Sequence, residues 1–493
     1  MDDINYPVHM MDQMKGYRFM LSWTMCFNDV LDASKLQASL SRLLEIGDWR
    51  KLAARLRLDK DGQLVACVPQ VFSEEHPAFL FHHSSYADIS IDQHSLRKIY
   101  YRPEKDPFIG QYDMAAGDTL VPPHFPKTFD EMIKKKHPQI SLHVISFCDA
   151  TIIQLTWPHT MSDGPGFQAL LQNWSLVMAG RESEVAQVLG ARLDVLDRLD
   201  QKCSEEFGLL DTKWSLIRRI QVLFRMLWRR FSRPKLQSKV IFIPSSAYQH
   251  LLSEARRAIS SPSTTKENKD ANFISDADIV LAWCSQMVAL AESNPKPVLA
   301  INIVNPRYRL PSLRDGNAGG VYVQNMSLPV FTGQPAEVAR TASVGEMASR
   351  HRQHLLKQAT EQQMLAFIEF VRGNFSKGKV EIPFGGDPRS VIFRFNNLSP
   401  MNLMKAVEFH PAAIAEAPET KTTRPGNNPL GTMVSCSCYI VKSTPPFSTF
   451  TAMGKDHEGN FWMSGFLDSA VWDKLENSLH LLEKASDSMQ YQV

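Results

Sequence analysis

The clearest pattern of apolar and polar positions in the chain lies between residues 141 and 180. Two runs enriched in apolar and β-branched residues, 141–149 and 151–159, meet at Asp149-Ala150 and predict an antiparallel hairpin. From Phe167 onward, apolar residues recur every three or four positions, which predicts an amphipathic helix that ends at Gly180. The chain therefore changes from strand to helix within the segment 159–164.

The same periodicities predict elements along the rest of the chain. Residues 73–139 carry many prolines, and we interpret them as irregular connections that border a binding cleft. An Asp61-Gly62 turn between two alternating runs predicts a second hairpin. The remaining predicted strands are 17–28, 239–243 and 298–304, a final hairpin covers 449–466, and the predicted helices are 31–46, 245–259, 275–290 and 469–484.

Composition narrows the class of protein. The chain has 493 residues, of which 44% are hydrophobic, so it can bury a large core. Its formal net charge of +2 gives no general attraction to nucleic acid. Seven scattered cysteines predict reduced thiols, and together with a polar N-terminus they favour a cytoplasmic protein. No apolar run approaches the roughly 20 residues of a transmembrane helix.

Residues 214–231 predict a basic amphipathic helix with two interpretations. Its tryptophans and arginines are typical of a helix that lies on an anionic membrane surface. The other interpretation is a crossover helix that buries its apolar face against the protein and leaves its arginine heads in solvent. We favour the crossover helix because the segment lies mid-chain between two expected halves.

His159 stands where a general base is well placed. The end of a strand fixes its imidazole, whose ordinary pKa of about 6.5 suits proton transfer near neutral pH. Asp163 follows four positions later, and Gly164 permits a positive φ or the close approach of a ligand. Ser162 lacks the G-x-S-x-G surroundings of a nucleophile. The alternative is a buried histidine beside an Asp-Gly turn.

The order strand, H-x-x-x-D-G, helix resembles the BAHD acyltransferases, which move an acyl group from a coenzyme A thioester to a hydroxyl or amine. Carnitine acyltransferases and condensation domains share a related histidine motif. Other family motifs occur in the family's order along the chain, including residues 52–62, the helix that begins after Ser275, and the segment 297–329. The family's D-F-G-W-G motif is reduced to Glu408-Phe409 here, which favours a divergent fungal branch similar to the trichothecene 3-O-acetyltransferases.

The resemblance implies an α/β fold of the chloramphenicol-acetyltransferase or BAHD type. We expect two similar-sized mixed α/β domains with a channel between them and His159 at its centre. The expected division is 1–180 for the half that carries H-x-x-x-D-G, 181–238 for a crossover, and 239–493 for a half that contributes to coenzyme A and acceptor binding.

The resemblance also implies roles for individual residues. Asp163 is expected to pair with Arg307, or alternatively with Arg309, and so to shape the loop rather than relay protons. The family's aspartate two positions before Arg307 is Asn305 here. The other implied positions are Gly164 in the loop, Glu408 at a structural corner, Tyr322 and Asn325 toward the coenzyme, and Asn396 and Asn397 as donors to an oxyanion. For Asn396 and Asn397 the alternative is an Asn-Asn loop without a role in the reaction.

The expected function is O-acylation without a covalent enzyme intermediate and without a metal or a permanently bound cofactor. The donor would be acetyl-CoA or another acyl-CoA, and the acceptor a hydroxyl of a small apolar secondary metabolite such as a terpenoid, an alkaloid or a polyketide. We expect a monomer that binds no nucleic acid. Two alternatives are a condensation-type enzyme with a carrier-bound donor and a catalytically silent protein that binds small molecules.

Overall fold

The computed structural model describes residues 3–111, 120–199, 236–259, 273–315, 319–375, 387–414 and 426–490, with a few single positions between 200 and 235. The helix predicted at 214–231 lies almost entirely outside the described residues, so the choice between a membrane-surface helix and a crossover helix stays a prediction.

The described chain is a mixed α/β structure. The strands are β1 (Ile4–Pro7), β2 (Met20–Phe27), β3 (Arg55–Leu58), β4 (Leu64–Val68), β5 (Leu80–Tyr86), β6 (Phe108–Gln111), β7 (Ser141–Phe147), β8 (Thr151–Pro158), β9 (Gln187–Leu189), β10 (Gln237–Ile243), β11 (Val298–Val304), β12 (Gly320–Tyr322), β13 (Leu328–Gln334), β14 (Val391–Asn397), β15 (Ser435–Ile440), β16 (Thr449–Lys455) and β17 (Phe461–Leu467). The α-helices are α1 (Ala33–Leu43), α2 (Phe129–Lys134), α3 (Gly164–Met178), α4 (Ser245–Ile259), α5 (Asp276–Leu290), α6 (Pro311–Arg314), α7 (Ala336–Thr341), α8 (Val344–Gln358), α9 (Glu361–Phe375) and α10 (Ser469–Gln490).

The first large sheet has the strand order β15-β2-β8-β7-β5. Every residue of β7 and β8 is buried, because these central strands are covered on both faces. Helices α1 and α3 pack against each other, and the ring of Phe167 at the start of α3 lies 4.5 Å from that of Trp23 on β2. This core holds the end of β8, and therefore His159, in a fixed position.

The second large sheet has the order β13-β11-β14-β16-β17-β10-β6. Strand β14 lies between β11 and β16 and pairs in parallel with both. Its residues Val391, Phe393 and Phe395 belong to the core that α4, α5, α8 and α10 cover. The alternate residues of β14 point to the other face of the sheet, away from this core.

The two sheets exchange a strand. Strand β15 comes from the C-terminal half of the chain but pairs antiparallel with β2 along its whole length, from Ser435↔Cys26 to Ile440↔Leu21. In the opposite direction, β6 of the N-terminal half pairs with β10 at the edge of the second sheet. The division into 1–180, 181–238 and 239–493 stays a prediction. Strands β15 and β6 each belong to one half of the chain and pair with a strand of the other half.

Most of the predicted strands and helices are present in the structure. The turn that joins β8 to α3 is the most important of the predicted features, because it carries His159. The hairpin of β7 and β8 and the hairpin around Gly62, whose φ is +75°, are both as predicted. Helix α3 begins at Gly164, with Asp163 as its N-cap, and the chain leaves it through Gly180 at φ +71°. Helix α5 begins with a capping box made by Ser275 and Asp278.

The interpretation of 73–139 as irregular connections was wrong in part. This segment contains β5, which pairs in parallel with β7, as well as the edge strand β6 and the short helix α2. The letters of β5, LFHHSSY, lack a run of apolar residues because β5 is an edge strand that is only partly buried.

Two further observations concern the whole described chain. Cys26, Cys67, Cys148, Cys284, Cys436 and Cys438 are free thiols. Among the described helices, none combines the length and the apolar character that crossing a bilayer requires.

Candidate active site

His159 lies directly after β8, at the end of a central strand. Its backbone N–H donates to the carbonyl of Phe19 at 2.9 Å, which extends the pairing of β8 with β2 by one residue. The next turn closes immediately, because the N–H of Met161 donates back to the carbonyl of Pro158 at 2.9 Å. The histidine backbone is therefore fixed on both sides.

Two aromatic rings hold the imidazole. The ring of Tyr17 stacks on it with a centroid distance of 4.5 Å and an interplanar angle of 13°. The ring of Phe19 meets it edge-on at 5.2 Å and 80°. Both rings come from the segment just before β2, so the N-terminal segment sets the plane of the histidine.

The two ring nitrogens of His159 have different surroundings. Nδ1 is buried and has no partner with hydrogen-bond geometry among the described residues. The residue as a whole keeps part of its surface exposed, so Nε2 is the nitrogen available to a substrate. Burial lowers the pKa of His159, and Arg394 lowers it further, whereas its own backbone carbonyl, Asp163 and Asn325 oppose the shift. A lowered pKa favours the neutral imidazole, which is the form that can accept a proton.

Asp163 points away from the imidazole and into the scaffold. Its Oδ2 accepts from Arg307 Nη1 at 2.7 Å and from the N–H of Met326 at 2.9 Å, and its Oδ1 accepts from the N–H of Gly166 at 3.2 Å. Both partners of the ion pair are buried, and Arg307 also donates to the carbonyl of Gln324. Asp163 thus pairs with Arg307, as predicted, and not with the alternative Arg309.

Asn305, in the place of the family's aspartate, contacts both partners of the ion pair. Its Nδ2 donates to Asp163 Oδ2 at 3.4 Å, and its Oδ1 accepts from the N–H of Arg307 at 3.0 Å. An aspartate at this place would bring a second carboxylate next to Asp163. The amide instead adds a donor to the loop.

Gly164 is needed for space and not for a left-handed backbone. It is absent from the glycines with positive φ, which corrects that part of the expectation. A Cβ at this position would lie 2.9 Å from Leu398 Cδ2 and 2.9 Å from Met401 Sδ. The close approach is therefore made by side chains that follow β14, so the glycine lets the histidine loop pack against the second sheet.

Asn325 is placed differently from the coenzyme-binding role that the resemblance implied. The residue is fully buried, and its Nδ2 donates to Asp12 Oδ1 at 2.7 Å and to the carbonyl of His159 at 2.8 Å. A side chain without exposed surface cannot touch a ligand, so we reassign Asn325 to the support of the histidine. Tyr322 lies on β12, paired with β9, and its role toward a coenzyme stays a prediction.

The two asparagines on β14 face opposite ways. Asn397 Oδ1 accepts from the hydroxyl and the N–H of Ser399 at 2.6 and 3.2 Å, so this side chain stabilises the following turn. Asn396 is half-buried and shares its face of the strand with Arg394, the residue whose charge acts on His159. Asn397 thus supports the turn after β14, and the role of Asn396 as an oxyanion donor stays a prediction.

Glu408 lies outside this group of residues. Its side chain is exposed, and its backbone N–H donates to Ser175 of α3 at 3.0 Å. The following Phe409 is fully buried and packs edge-on against Trp174, with centroids 4.7 Å apart. This arrangement agrees with a structural corner.

Similar proteins identify the family. The O-acetyltransferase PaAT-2 of Phomopsis amygdali is 31% identical over 493 residues, which cover 97% of each chain. The chain belongs to the BAHD-type fungal acetyltransferases. A second member, acetyltransferase BOT5 of Botryotinia fuckeliana, is 30% identical over 97% of this chain and 90% of that one. No protein-family model matches the chain.

Solved structures show the same fold at low sequence identity. TRI101 of F. graminearum, complexed with ethyl coenzyme A, has a TM-score of 0.67 at 15% identity over 96% of this chain and 97% of that chain. Vinorine synthase has a TM-score of 0.55 at 14% identity over 98% and 93% of the two chains. The predicted BAHD fold is confirmed, and the fungal acetyltransferase family that the motifs indicated is confirmed with it.

Sequence reasoning missed three residues that surround His159. Asp12 lies before the first predicted strand, in a segment without regular periodicity, and Tyr17 was predicted only as the first residue of the strand 17–28, with nothing to mark its contact with His159. Arg394 did leave a signal, because it is a charged residue within the apolar run Val391-Ile392-Phe393-Arg394-Phe395. Its Nε is buried without a hydrogen-bond partner, and its guanidinium forms no ion pair within the described residues.

Proposed function

We propose that this acetyltransferase moves an acyl group, acetyl in the first instance, from acyl-CoA to a hydroxyl of a small apolar secondary metabolite. The observation that carries the proposal is the placement of His159. One ring nitrogen is buried, the other remains available, and the neighbouring aspartate is fully used by the scaffold. Relatives named acetyltransferases support the acyl group, and a TRI101 structure with coenzyme A and deoxynivalenol supports the donor and the class of acceptor.

The proposed reaction needs one base and one oxyanion donor. Nε2 of His159 removes the proton from the acceptor hydroxyl while the oxygen attacks the thioester carbonyl, and a tetrahedral oxyanion forms. When this intermediate collapses, the C–S bond breaks and the imidazolium returns its proton to the coenzyme A thiolate. The proposed reaction forms no acyl-enzyme, and the buried Ser162 is not its nucleophile, since its hydroxyl donates to the carbonyl of Asp163.

We assign the oxyanion donor to Asn396 in preference to Asn397. The oxygen of Asn397 accepts two hydrogen bonds from Ser399, which fixes its amide at the end of β14. Asn396 lies on the face of β14 that also carries Arg394, and an amide N–H there can donate to the developing charge.

The first test measures donor binding, because it requires no acceptor. Acetyl-CoA at about a hundred times its Kd should stabilise the folded protein by about 2.7 kcal/mol and raise the melting temperature. His159→Ala should show the same shift as the wild type, since the base does not hold the coenzyme. If acetyl-CoA and longer acyl-CoAs leave the melting temperature unchanged, the proposed donor is wrong and a carrier-bound donor or a silent binding protein becomes the better reading.

The second test measures release of free thiol from acetyl-CoA in the presence of a panel of apolar alcohols. His159→Ala should lower turnover by at least about a hundredfold, which is the usual contribution of a general base. His480→Ala is the matched control, because His480 is an exposed histidine of α10 that lies outside the site and pairs with Glu483 on its own helix. Turnover retained in His159→Ala would overturn the mechanism.

A further inference from the structure

Asn325 connects His159 to a second buried carboxylate, that of Asp12. The backbone N–H of Asn325 donates to Asp12 Oδ1 at 2.9 Å, and its Nδ2 donates to the same oxygen at 2.7 Å. The other hydrogen of Nδ2 points to the carbonyl of His159 at 2.8 Å. Asp12 and Asn325 are 313 positions apart in the chain, and both are buried.

These contacts decide which way the amide of Asn325 faces. A carboxylate oxygen and a backbone carbonyl can only accept hydrogen bonds, so the NH2 end of the amide must lie toward Asp12 and toward the histidine carbonyl. Oδ1 is then the free end of the side chain. It is buried without a partner of good geometry among the described residues, as is Nδ1 of His159.

The two unpartnered atoms match each other chemically. An amide oxygen accepts a hydrogen bond and a protonated ring nitrogen donates one, and the side chain of Asn325 is one of the groups that act on the ionisation of His159. Catalytic hydrogen bonds are often long or poorly aligned without substrate and tighten when the complex forms. Oδ1 of Asn325 is therefore the acceptor that we assign to Nδ1–H.

We propose that Asp12 is a positioning residue for His159, because it fixes the amide of Asn325 so that Nδ1 keeps the proton and Nε2 is left as the base. The inference rests on the proposed role of His159, and it extends that role to a carboxylate that touches neither the substrate nor the imidazole. In hydrolytic triads a carboxylate orients the histidine directly, whereas here an amide stands between the two.

Charged groups surround both ends of this connection. Asp12 Oδ2 lies 3.6 Å from His9 Nδ1, and the ammonium of the buried Lys51 lies 3.4 Å from His9 Nδ1 and 3.3 Å from His9 Nε2. Burial lowers the pKa of Lys51 to about 8, against the opposing effect of Asp12, Asp194 and Asp48. At the other end, the ring of Tyr17 stacks on His159, and the charges of Asp163 and Arg394 act on its pKa.

The direct test reads the tautomer of His159 by NMR in the full chain labelled with ¹⁵N-histidine, with His159→Gln to identify its signals. In the wild type, Nδ1 should carry the proton in the neutral form. Asp12→Ala removes the acceptor and frees the amide, so a second population with the proton on Nε2 should appear. Asp12→Asn should give a smaller second population, because an asparagine oxygen can still accept.

Asp456 supplies the matched control. It is as buried as Asp12 and likewise accepts from an asparagine, with Asn460 N–H at 2.9 Å and Asn460 Nδ2 at 3.0 Å, but it lies in the turn between β16 and β17. Asp456→Asn should leave the His159 tautomer unchanged. If Asp12→Ala does not fold, Asp12→Asn alone decides, and an unchanged tautomer in the folded Asp12 variants would overturn the proposal.

A kinetic measurement separates positioning from stability. With acetyl-CoA and an alcohol found in the screen, Asp12→Ala should lower kcat by about tenfold or more while the KM for acetyl-CoA stays within about twofold. Per folded molecule, Asp456→Asn should lose no kcat. Equal losses in the two variants would show a structural role only. The tautomer readout needs no acceptor, so it stands or falls separately from the proposed reaction.

Discussion

At the scale of single residues, the base is tuned by charges that do not touch it. Arg394 lowers the pKa of His159, after burial as the larger cause. We therefore predict that Arg394→Gln raises the pKa of His159. A higher pKa means a smaller fraction of neutral imidazole at a given acidic pH, so the acidic limb of the kcat/KM profile should move to higher pH while the rate above that limb stays closer to that of the wild type.

The profile is measured between about pH 5 and 9, with Arg389→Gln as the control. Arg389 precedes the same strand but is exposed and paired with Asp387 at 2.7 Å. An acidic limb that is unmoved in Arg394→Gln, or equally moved in both variants, would contradict this account of the electrostatics.

The buried ion pair between Asp163 and Arg307 leads to a second prediction about single residues. Asp163→Asn removes the charge that faces Arg307 and leaves a buried guanidinium uncompensated, which typically costs about 3–5 kcal/mol. Urea unfolding should show a large fall in the midpoint. Asp315→Asn breaks an exposed pair with Arg314 and should leave the midpoint almost where it was. Similar midpoints for the two variants would argue against a structural role for Asp163.

At the scale of elements, the two glycines at the start of α3 differ in what surrounds them. A Cβ on Gly166 would lie 2.5 Å from the carbonyl oxygen of Val323, which is backbone and cannot rotate away, and would also meet Ser162 Oγ. A Cβ on Gly164 would meet only the ends of the flexible side chains of Leu398 and Met401.

We therefore predict that Gly166→Ala destabilises the fold by about 1–3 kcal/mol or more, as overpacking does. Gly164→Ala should cost less, because alanine is the better helix former and its neighbours can move. The larger loss of stability is thus predicted for Gly166, which lies outside the H-x-x-x-D-G motif, and the smaller loss for Gly164, which belongs to it. Thermal unfolding of the two variants checks it, and a Gly164→Ala variant less stable than Gly166→Ala would refute the packing argument.

How much of this could be predicted from the sequence depended on how local the cause was. The hairpin and helix α3 followed from periodicity, because each is written in a short stretch of chain. The pairing of Asp163 with Arg307 spans 144 positions and followed from the family resemblance instead. The edge strands β5 and β6 were not predicted, because their pairing partners, and not their own residue patterns, define them as strands. Asp12 and Arg394 were not predicted as part of the site, because each lies more than a hundred positions from His159 in the sequence. In the folded chain Asp12 is connected to His159 through Asn325, and Arg394 acts on the pKa of His159.

At the scale of the whole molecule, the exchanged strands make the two halves depend on each other. Without β15, the edge of β2 would lose the ladder that runs from Leu21 to Cys26, and it would expose Trp23 and Met25 beside unpaired backbone groups. Without β6, the edge of β10 would open in the same way. The Asp163–Arg307 pair and the Asp12–Asn325 bonds also join residues from the two halves.

The last prediction therefore concerns the halves in isolation. Residues 1–235 and 236–493, produced separately, should lack a cooperative thermal transition, because each piece buries too little of its edge strands to offset the entropy of folding. Produced together, they should associate into one particle by size-exclusion chromatography and regain the transition.

A third version, in which 1–235 is followed by a flexible linker and residues 430–445, restores β15 to the first sheet. It should melt cooperatively by circular dichroism, whereas 1–235 alone should not. If 1–235 alone melts like the intact chain, the exchanged strand contributes little to the stability of the first sheet, and the expected division between an N-terminal and a C-terminal half gains support.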